Sequence, residues 1–333
     1  MMARARRDNT WVSYGGKVQR FLNFCAEYGF TPLPASQRTV LCYLAFLSDE
    51  DEVHARSLQP YLTAINQLHG DFHFDKPAIG TTITRARHGF EQLETETRGC
   101  HAQDHYLPAS VVMRILDAGL ATADLHLMRD TALVCLAYQF FARGDTGVRT
   151  TRAALRIDER GLHFAEAAKN VPRFKPYILT LPWPPQNRAR SVHRLLRRFD
   201  TAANAAWLAS GQHRPPQFFR LPTDRVALII ETGVREPVLP VTVMDTALAN
   251  ALRHVGASPG PGVRWTKKSI RSGGATSALA VNAPLPRIMR WGIWKSLAAV
   301  ECYLDPLAPA DEAAKFFFSH LLHAALDVTA STL

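Results

Sequence analysis

The sequence predicts a mainly α-helical chain with a small β-hairpin, arranged as an N-terminal helical bundle followed by a larger α+β unit. Three observations predict it. Apolar residues recur at helical spacing in four short runs over the first hundred residues. Two short strand-like runs flank a polar turn near residue 170. Basic charge is concentrated beyond residue 107, which separates the chain into two parts of different character.

The first helix carries Trp11, Tyr14, Val18, Phe21, Leu22, Cys25 and Tyr28 on one face. Ser36 opens a second around Val40, Leu41, Leu44 and Leu47, and Ser57 a third around Leu58, Tyr61, Leu62, Ile65 and Leu68. Ile83, Phe90 and Leu93 mark a fourth, so residues 1–100 read as a small bundle. Asp49 to Glu52 reads as a solvated acidic loop. The polar stretch from Arg98 to Pro108 gives residues 101–109 as a linker, and residues 110–333 form the second unit.

In that unit Leu133 to Ala142 is an apolar run too short to cross a bilayer, hence a core helix, and it ends at Arg143. Gly161 to Asn170 and Tyr177 to Pro182 form the hairpin. A basic helix from Ser191 to Leu208 presents Arg194, Arg197 and Arg198 as phosphate contacts. Residues 209–240, rich in Pro and Gly, read as an irregular insert, and Val241 to Val255 returns to helical spacing. Ala313 to Leu326 is apolar nearly all round, with three consecutive phenylalanines, which points to docking into a neighbouring protomer, with packing into its own domain as the alternative.

Over 333 residues the net charge is +10. Residues 1–107 hold 11 basic and 12 acidic side chains, a net of −1, while residues 108–333 hold 28 and 17, a net of +11. That balance suits a polyanion, and the second unit carries it. Cys25, Cys42, Cys100, Cys135 and Cys302 are scattered without a Cys-x-x-Cys pair, so neither a disulfide framework nor a zinc site is supported. No apolar stretch follows the basic start, so an intracellular setting with no membrane span is expected, at the nucleoid, in the cytoplasm or in a nucleus.

The chemistry-bearing segment lies near the end. Lys268 and Arg271 are three apart and share a helix face, and Thr266 before them is a fair N-cap. Trp294 follows Arg271 by 23 residues and Tyr303 follows Trp294 by nine. An arginine fork matches two phosphate oxygens, an indole N–H supplies one more donor, and a phenol attacks once cations favour its ionisation. Small residues from Ser272 to Thr276 would let this helix approach a neighbour closely.

This ordered set resembles the C-terminal signature of the tyrosine recombinases, the phage-integrase family, in which His-x-x-Arg is followed by His or Trp and then the nucleophilic Tyr. The resemblance spans both units and implies an N-terminal core-binding domain, a catalytic domain, and together a C-shaped clamp on DNA. It implies Arg143, Lys169, Lys268, Arg271, Trp294 and Tyr303 as catalytic residues, with Tyr303 the nucleophile. Arg149 and Arg152 rival Arg143, and Lys175 rivals Lys169. Lys267, Arg194, Arg197, Arg198 and Lys295 would contact DNA.

Lys268 stands where the family most often has His, and Thr146 where it usually has Glu. The implied activity is site-specific recombination through a 3′-phosphotyrosyl link and a Holliday junction, in a homotetramer on double-stranded DNA. No metal or cofactor is called for, and accessory DNA-binding proteins are possible partners. A type IB topoisomerase-like nicking and religating enzyme, and a non-catalytic DNA-binding descendant, are the alternatives.

Overall fold

The computed structural model describes residues 8–49, 53–54, 57–98, 103–166, 177–184, 189–224, 227–231, 234–240 and 242–322. The chain divides into two compact units, Met1–His101 and Ala102–Leu333.

The first unit contains α1 (Asp8–Glu27), α2 (Gln37–Asp49), α3 (Gln59–Asp71) and α4 (Thr81–Arg98). Its core gathers Phe21, Phe24, Tyr43, Leu44 and Leu47 with Leu62 and Ile65. The Phe24 ring lies 5.1 Å from that of Tyr43 and 5.4 Å from that of Phe30. The buried His69 joins α3 to the α1–α2 connection. Its Nδ1 donates to the carbonyl of Ile65 at 2.9 Å, and its Nε2 accepts from the amide of Ala35 at 2.8 Å. The start of α3 differs from expectation: Ser57 lies outside, and the N-cap is Leu58, which has no side-chain cap, with a proline in the first turn.

The second unit begins with β1 (Gln103–Asp104), α5 (Ala109–Ala121), α6 (Leu125–Gln139) and α7 (Gly144–Val148). There follow β2 (Leu155–Ile157), β3 (Gly161–Glu166), β4 (Tyr177–Pro182) and α8 (Val192–Ala209). The hairpin β5 (Ala227–Glu231) and β6 (Val234–Val238) precedes α9 (Thr242–His254) and β7 (Val263–Arg264). The chain continues through α10 (Lys267–Ala280), α11 (Leu285–Trp291), α12 (Leu297–Glu301) and α13 (Glu312–Phe318), then a 3-10 turn at Ser319–Leu321.

Strands β2, β3 and β4 form one antiparallel sheet, with Phe164 opposite Leu155 on one side and Leu179 on the other. α6 is central, packed by α5, α8, α9 and α10. It is buried from Met128 to Gln139, which explains why it shows an apolar run rather than a one-sided stripe. The charges at its start are compensated: Arg129 binds Asp130 and Asp224, and the Asn250 amide donates to Asp130 at 2.8 Å.

Four expectations need correcting. Residues 103–107 of the proposed linker are held in the second unit, since β1 pairs with β7 in parallel and the Leu107 amide donates to the carbonyl of Ser269 at 2.9 Å. Residues 209–240 are not simply irregular, because the β5–β6 hairpin lies within them. The apolar run ending at Ala142 is not all helix, because α6 stops at Gln139. Among the described residues the terminal apolar segment is helical over α13 and the following turn, and it packs into its own unit: Phe317, Phe318 and Leu321 are at most 1% exposed. Phe318 packs on Tyr138 and Phe141 with ring centres 5.5 and 5.4 Å apart. Residues 323–326 of the expected helix lie outside the described residues.

Candidate active site

The site grows from two helix C-termini that end alike. Past the end of α6, Phe141 takes a left-handed conformation (φ 49°). Its amide donates to the carbonyl of Tyr138, and the amide of Ala142 returns to Ala137 at 2.8 Å. Past the end of α11, Ile293 does the same (φ 54°), and the amide of Trp294 returns to Met289 at 2.8 Å. Both are Schellman-type ends, in which a left-handed residue lets the chain reverse and satisfy the last helical carbonyls. Glycine is the usual occupant. A phenylalanine and a β-branched isoleucine there are strained by about 1 kcal/mol or more each.

Both reversals serve Arg271. Its guanidinium, 2% exposed, donates from one terminal nitrogen to the carbonyl of Phe141 and from the other to the carbonyl of Gly292 at 2.7 Å. The negative ends of two helix dipoles thus meet a buried cation, which offsets part of its desolvation. A guanidinium has five N–H donors, so two carbonyls do not exhaust it. The face of the cation lies over the Trp294 indole, 4.1 Å from its centroid.

Close packing fixes this arrangement. Trp294 folds back across Gly292 so tightly that a Cβ there would fall 1.8 Å from the ring. A Cβ on Gly274 would fall 2.4 Å from the carbonyl oxygen of Tyr138, so α10 reaches α6 only because that position has no side chain. Thr266 caps α10 as expected, in a capping box with Ser269. That box takes up the amide of Lys268, which donates to the Thr266 hydroxyl at 3.3 Å and is therefore not a free anion donor.

Tyr303 follows α12 and is half-buried. Its ring lies 5.4 Å from that of Trp294, and the Arg271 guanidinium carbon lies 5.4 Å from the Tyr303 ring centre. Its carbonyl accepts from Ser272 Oγ at 3.0 Å and Thr276 Oγ1 at 3.1 Å. Arg271, Trp294 and Tyr303 therefore form one cluster, although 32 residues separate the first from the last.

The other expected residues lie at differing removes. Arg143 is the N-cap of α7, half-buried, two residues beyond the carbonyl that holds Arg271. Its rival Arg149 closes α7 at the other end, and Arg152 is exposed. Lys268 is exposed, one turn before Arg271. Lys169 and Lys175 lie outside the described residues, between β3 and β4. Lys267 is paired with Asp245 at 2.8 Å. Arg198 binds the carbonyls of Leu120 and Thr122, so it closes the C-terminus of α5. Arg197 lies over the Trp183 ring, 5.2 Å from its centre, while Arg194 and Lys295 are exposed.

Sequence reasoning missed Ser272, Thr276 and Asp245. Two hydroxyls at i and i+4 on the helix that carries Arg271 were the available signal for the first two. Among the described residues no His, Cys, Asp and Glu group has the makings of a metal site, and no helix is long and apolar enough to cross a membrane.

The fold is that of the tyrosine recombinases. A lambda integrase dimer bound to a COC′ core site matches with a TM-score of 0.53 at 14% identity, over 93% of each chain. XerH site-specific recombinase bound to a palindromic difH substrate matches with a TM-score of 0.52 at 9% identity, over 80% of this chain and 68% of that one. In sequence, an integrase/recombinase XerD homolog of Selenomonas ruminantium is 25% identical over 311 residues, 91% of this chain and 83% of that protein. No family model matches the chain.

Proposed function

We propose that this protein is a site-specific DNA recombinase that cuts and rejoins DNA through Tyr303. The observation that supports the reading is the cluster of Arg271, Trp294 and Tyr303, a guanidinium over an indole and close to a phenol. The Tyr303 oxygen attacks the scissile phosphorus with loss of its phenolic proton. The new bond is a 3′-phosphotyrosyl link, and the bond to the 5′ oxygen breaks.

Arg143, Arg271, Lys268 and Trp294 hold the non-bridging oxygens and stabilise the charge that develops on them. Lys169 gives a proton to the departing 5′ oxygen, which leaves as a hydroxyl. The covalent link conserves the bond energy, so rejoining needs no nucleotide. Lys268 replaces the family's usual histidine as a charge stabiliser.

Double-stranded DNA is the partner, gripped by both units. Exchange proceeds in pairs of strands through a Holliday junction in a tetramer, the assembly in which lambda integrase has been solved (TM-score 0.51). The net +11 of residues 108–333 supports binding to a polyanion.

Covalent trapping tests the reading. The protein is incubated in EDTA with nicked duplexes from a library of genomic or element-end sequences, denatured, and assayed for protein–DNA adducts. An adduct that disappears in Tyr303→Phe is the expected result, and sequencing the trapped DNA identifies the site. Salt-sensitive DNA binding without any adduct would overturn it in favour of a non-catalytic binder.

A further inference from the structure

The backbone of Tyr303 is fastened to the helix that bears Arg271. The Ser272 and Thr276 hydroxyls, one turn apart on α10, both donate to the Tyr303 carbonyl, at 3.0 and 3.1 Å. The Thr276 oxygen also accepts from the amide of Asp305 at 3.1 Å, so this one hydroxyl holds the chain on both sides of Leu304. Thr276 is fully buried, where a hydroxyl without partners would be costly; here both its donor and an acceptor lone pair are used. The segment has little other regular structure: α12 spans only Leu297–Glu301, and α13 begins at Glu312. The Tyr303 amide is tied back to the carbonyl of Val300 at 2.8 Å, but toward the guanidinium the phenol is positioned by these hydroxyls together with the ring contact to Trp294.

We infer that Ser272 and Thr276 are positioning residues for the Tyr303 nucleophile, acting through its main chain and not on the substrate. The inference rests on Tyr303 being the nucleophile. In-line attack demands a near-attack separation, and a shift of about 1 Å can cost on the order of 100-fold in rate. Two hydroxyls fastened to the helix of Arg271 make the phosphate fork and the attacking oxygen move as one piece.

The test compares the Ser272→Ala/Thr276→Val double variant with Thr276→Ser and wild type. Thermal melting first establishes that each variant is folded. 3-Fluorotyrosine placed at position 303 then reports the ring's surroundings by fluorine NMR, with no DNA present. Finally, the rate of adduct formation is measured on the nicked duplexes trapped by the wild-type protein. Expected are a shifted or broadened fluorine line and about a 10- to 100-fold slower adduct rate in the folded double variant, with both near wild type in Thr276→Ser.

A folded double variant with an unchanged fluorine line would overturn the inference, as would a shifted line with an unchanged adduct rate. If the wild type forms no adduct, the phosphotyrosyl reading fails, and the fluorine line alone decides whether the hydroxyls hold the ring. Should the double variant not fold, Thr276→Val alone is taken through the same measurements.

Discussion

Replacing Gly292 by Ala tests the site at its tightest point. The backbone there (φ −88°, ψ 3°) accepts alanine without strain, so the effect comes from the added methyl alone. That methyl would lie 1.8, 2.2 and 2.6 Å from three atoms of the Trp294 ring, which is itself 8% exposed. Restoring ordinary contact requires the ring to retreat by about 2 Å. Overpacking of this kind costs about 1–3 kcal/mol. Displacing the indole from beneath Arg271 forfeits a desolvated cation–π contact of about 1–2 kcal/mol.

The combined loss of about 2–5 kcal/mol should lower the melting temperature by roughly 4–20 °C for a unit of this size. Because Trp294 touches both Arg271 and Tyr303, the adduct rate should fall by on the order of 100-fold even where the protein is fully folded. Thermal melting and the trapping assay, run on one preparation, read the two effects separately. A Gly292→Ala protein with wild-type melting and wild-type adduct rate would refute the reasoning, because the indole could then not lie across that position.

Two further outcomes follow from buried groups. His193 stacks on Trp183, donates from Nε2 to the carbonyl of Leu181, and has no partner for Nδ1 among the described residues; burial, aided by Arg197, holds its pKa down to about 4. The unfolded chain binds this proton at higher pH, so stability should drop by up to about 3 kcal/mol as pH falls from about 6.5 to 4. Melting curves across that window should show a shallower slope in His193→Phe, with the remainder owed in part to His320, which burial holds at about 3. Phe318→Ala should cost about 3–5 kcal/mol in a denaturant titration, since its ring is fully buried against Tyr138 and Phe141. A cost below about 1 kcal/mol would instead return the terminal phenylalanines to the role of an exposed docking face.

What the sequence made legible was local. Helical periodicity marked α1 to α4, α8 and α9, and Thr266 announced the start of α10 through its own capping chemistry. Ser191 did the same for α8, its hydroxyl accepting from the amide of Arg194 at 3.2 Å. That Arg271, Trp294 and Tyr303 belong together was expected from their order along the chain, and the structure does bring them into one cluster.

The pairing of β1 with β7 was not readable, because two-residue strands 160 positions apart leave no periodic trace. The task of Arg198 was hidden for a related reason. A surface arginine and one that closes another helix look alike until the helices are packed. The terminal phenylalanines left two readings open, because a short helix apolar on most sides fits a core as readily as a partner. The left-handed residues at Phe141 and Ile293 were invisible for the opposite cause: residue preference argues against them, and only the surrounding packing imposes them.

That last feature bears on how such a site can be inherited. Arg271 is fastened to two oxygens that belong to the main chain, at Phe141 and Gly292. Every amino acid carries that oxygen, so no substitution at residue 141 or 292 deletes the acceptor itself; a replacement acts only by bending or crowding the backbone. What must be transmitted is the course of two helix ends, and many sequences can trace the same course. A lineage could therefore exchange most of the side chains around its arginine and still hold the guanidinium in the same place.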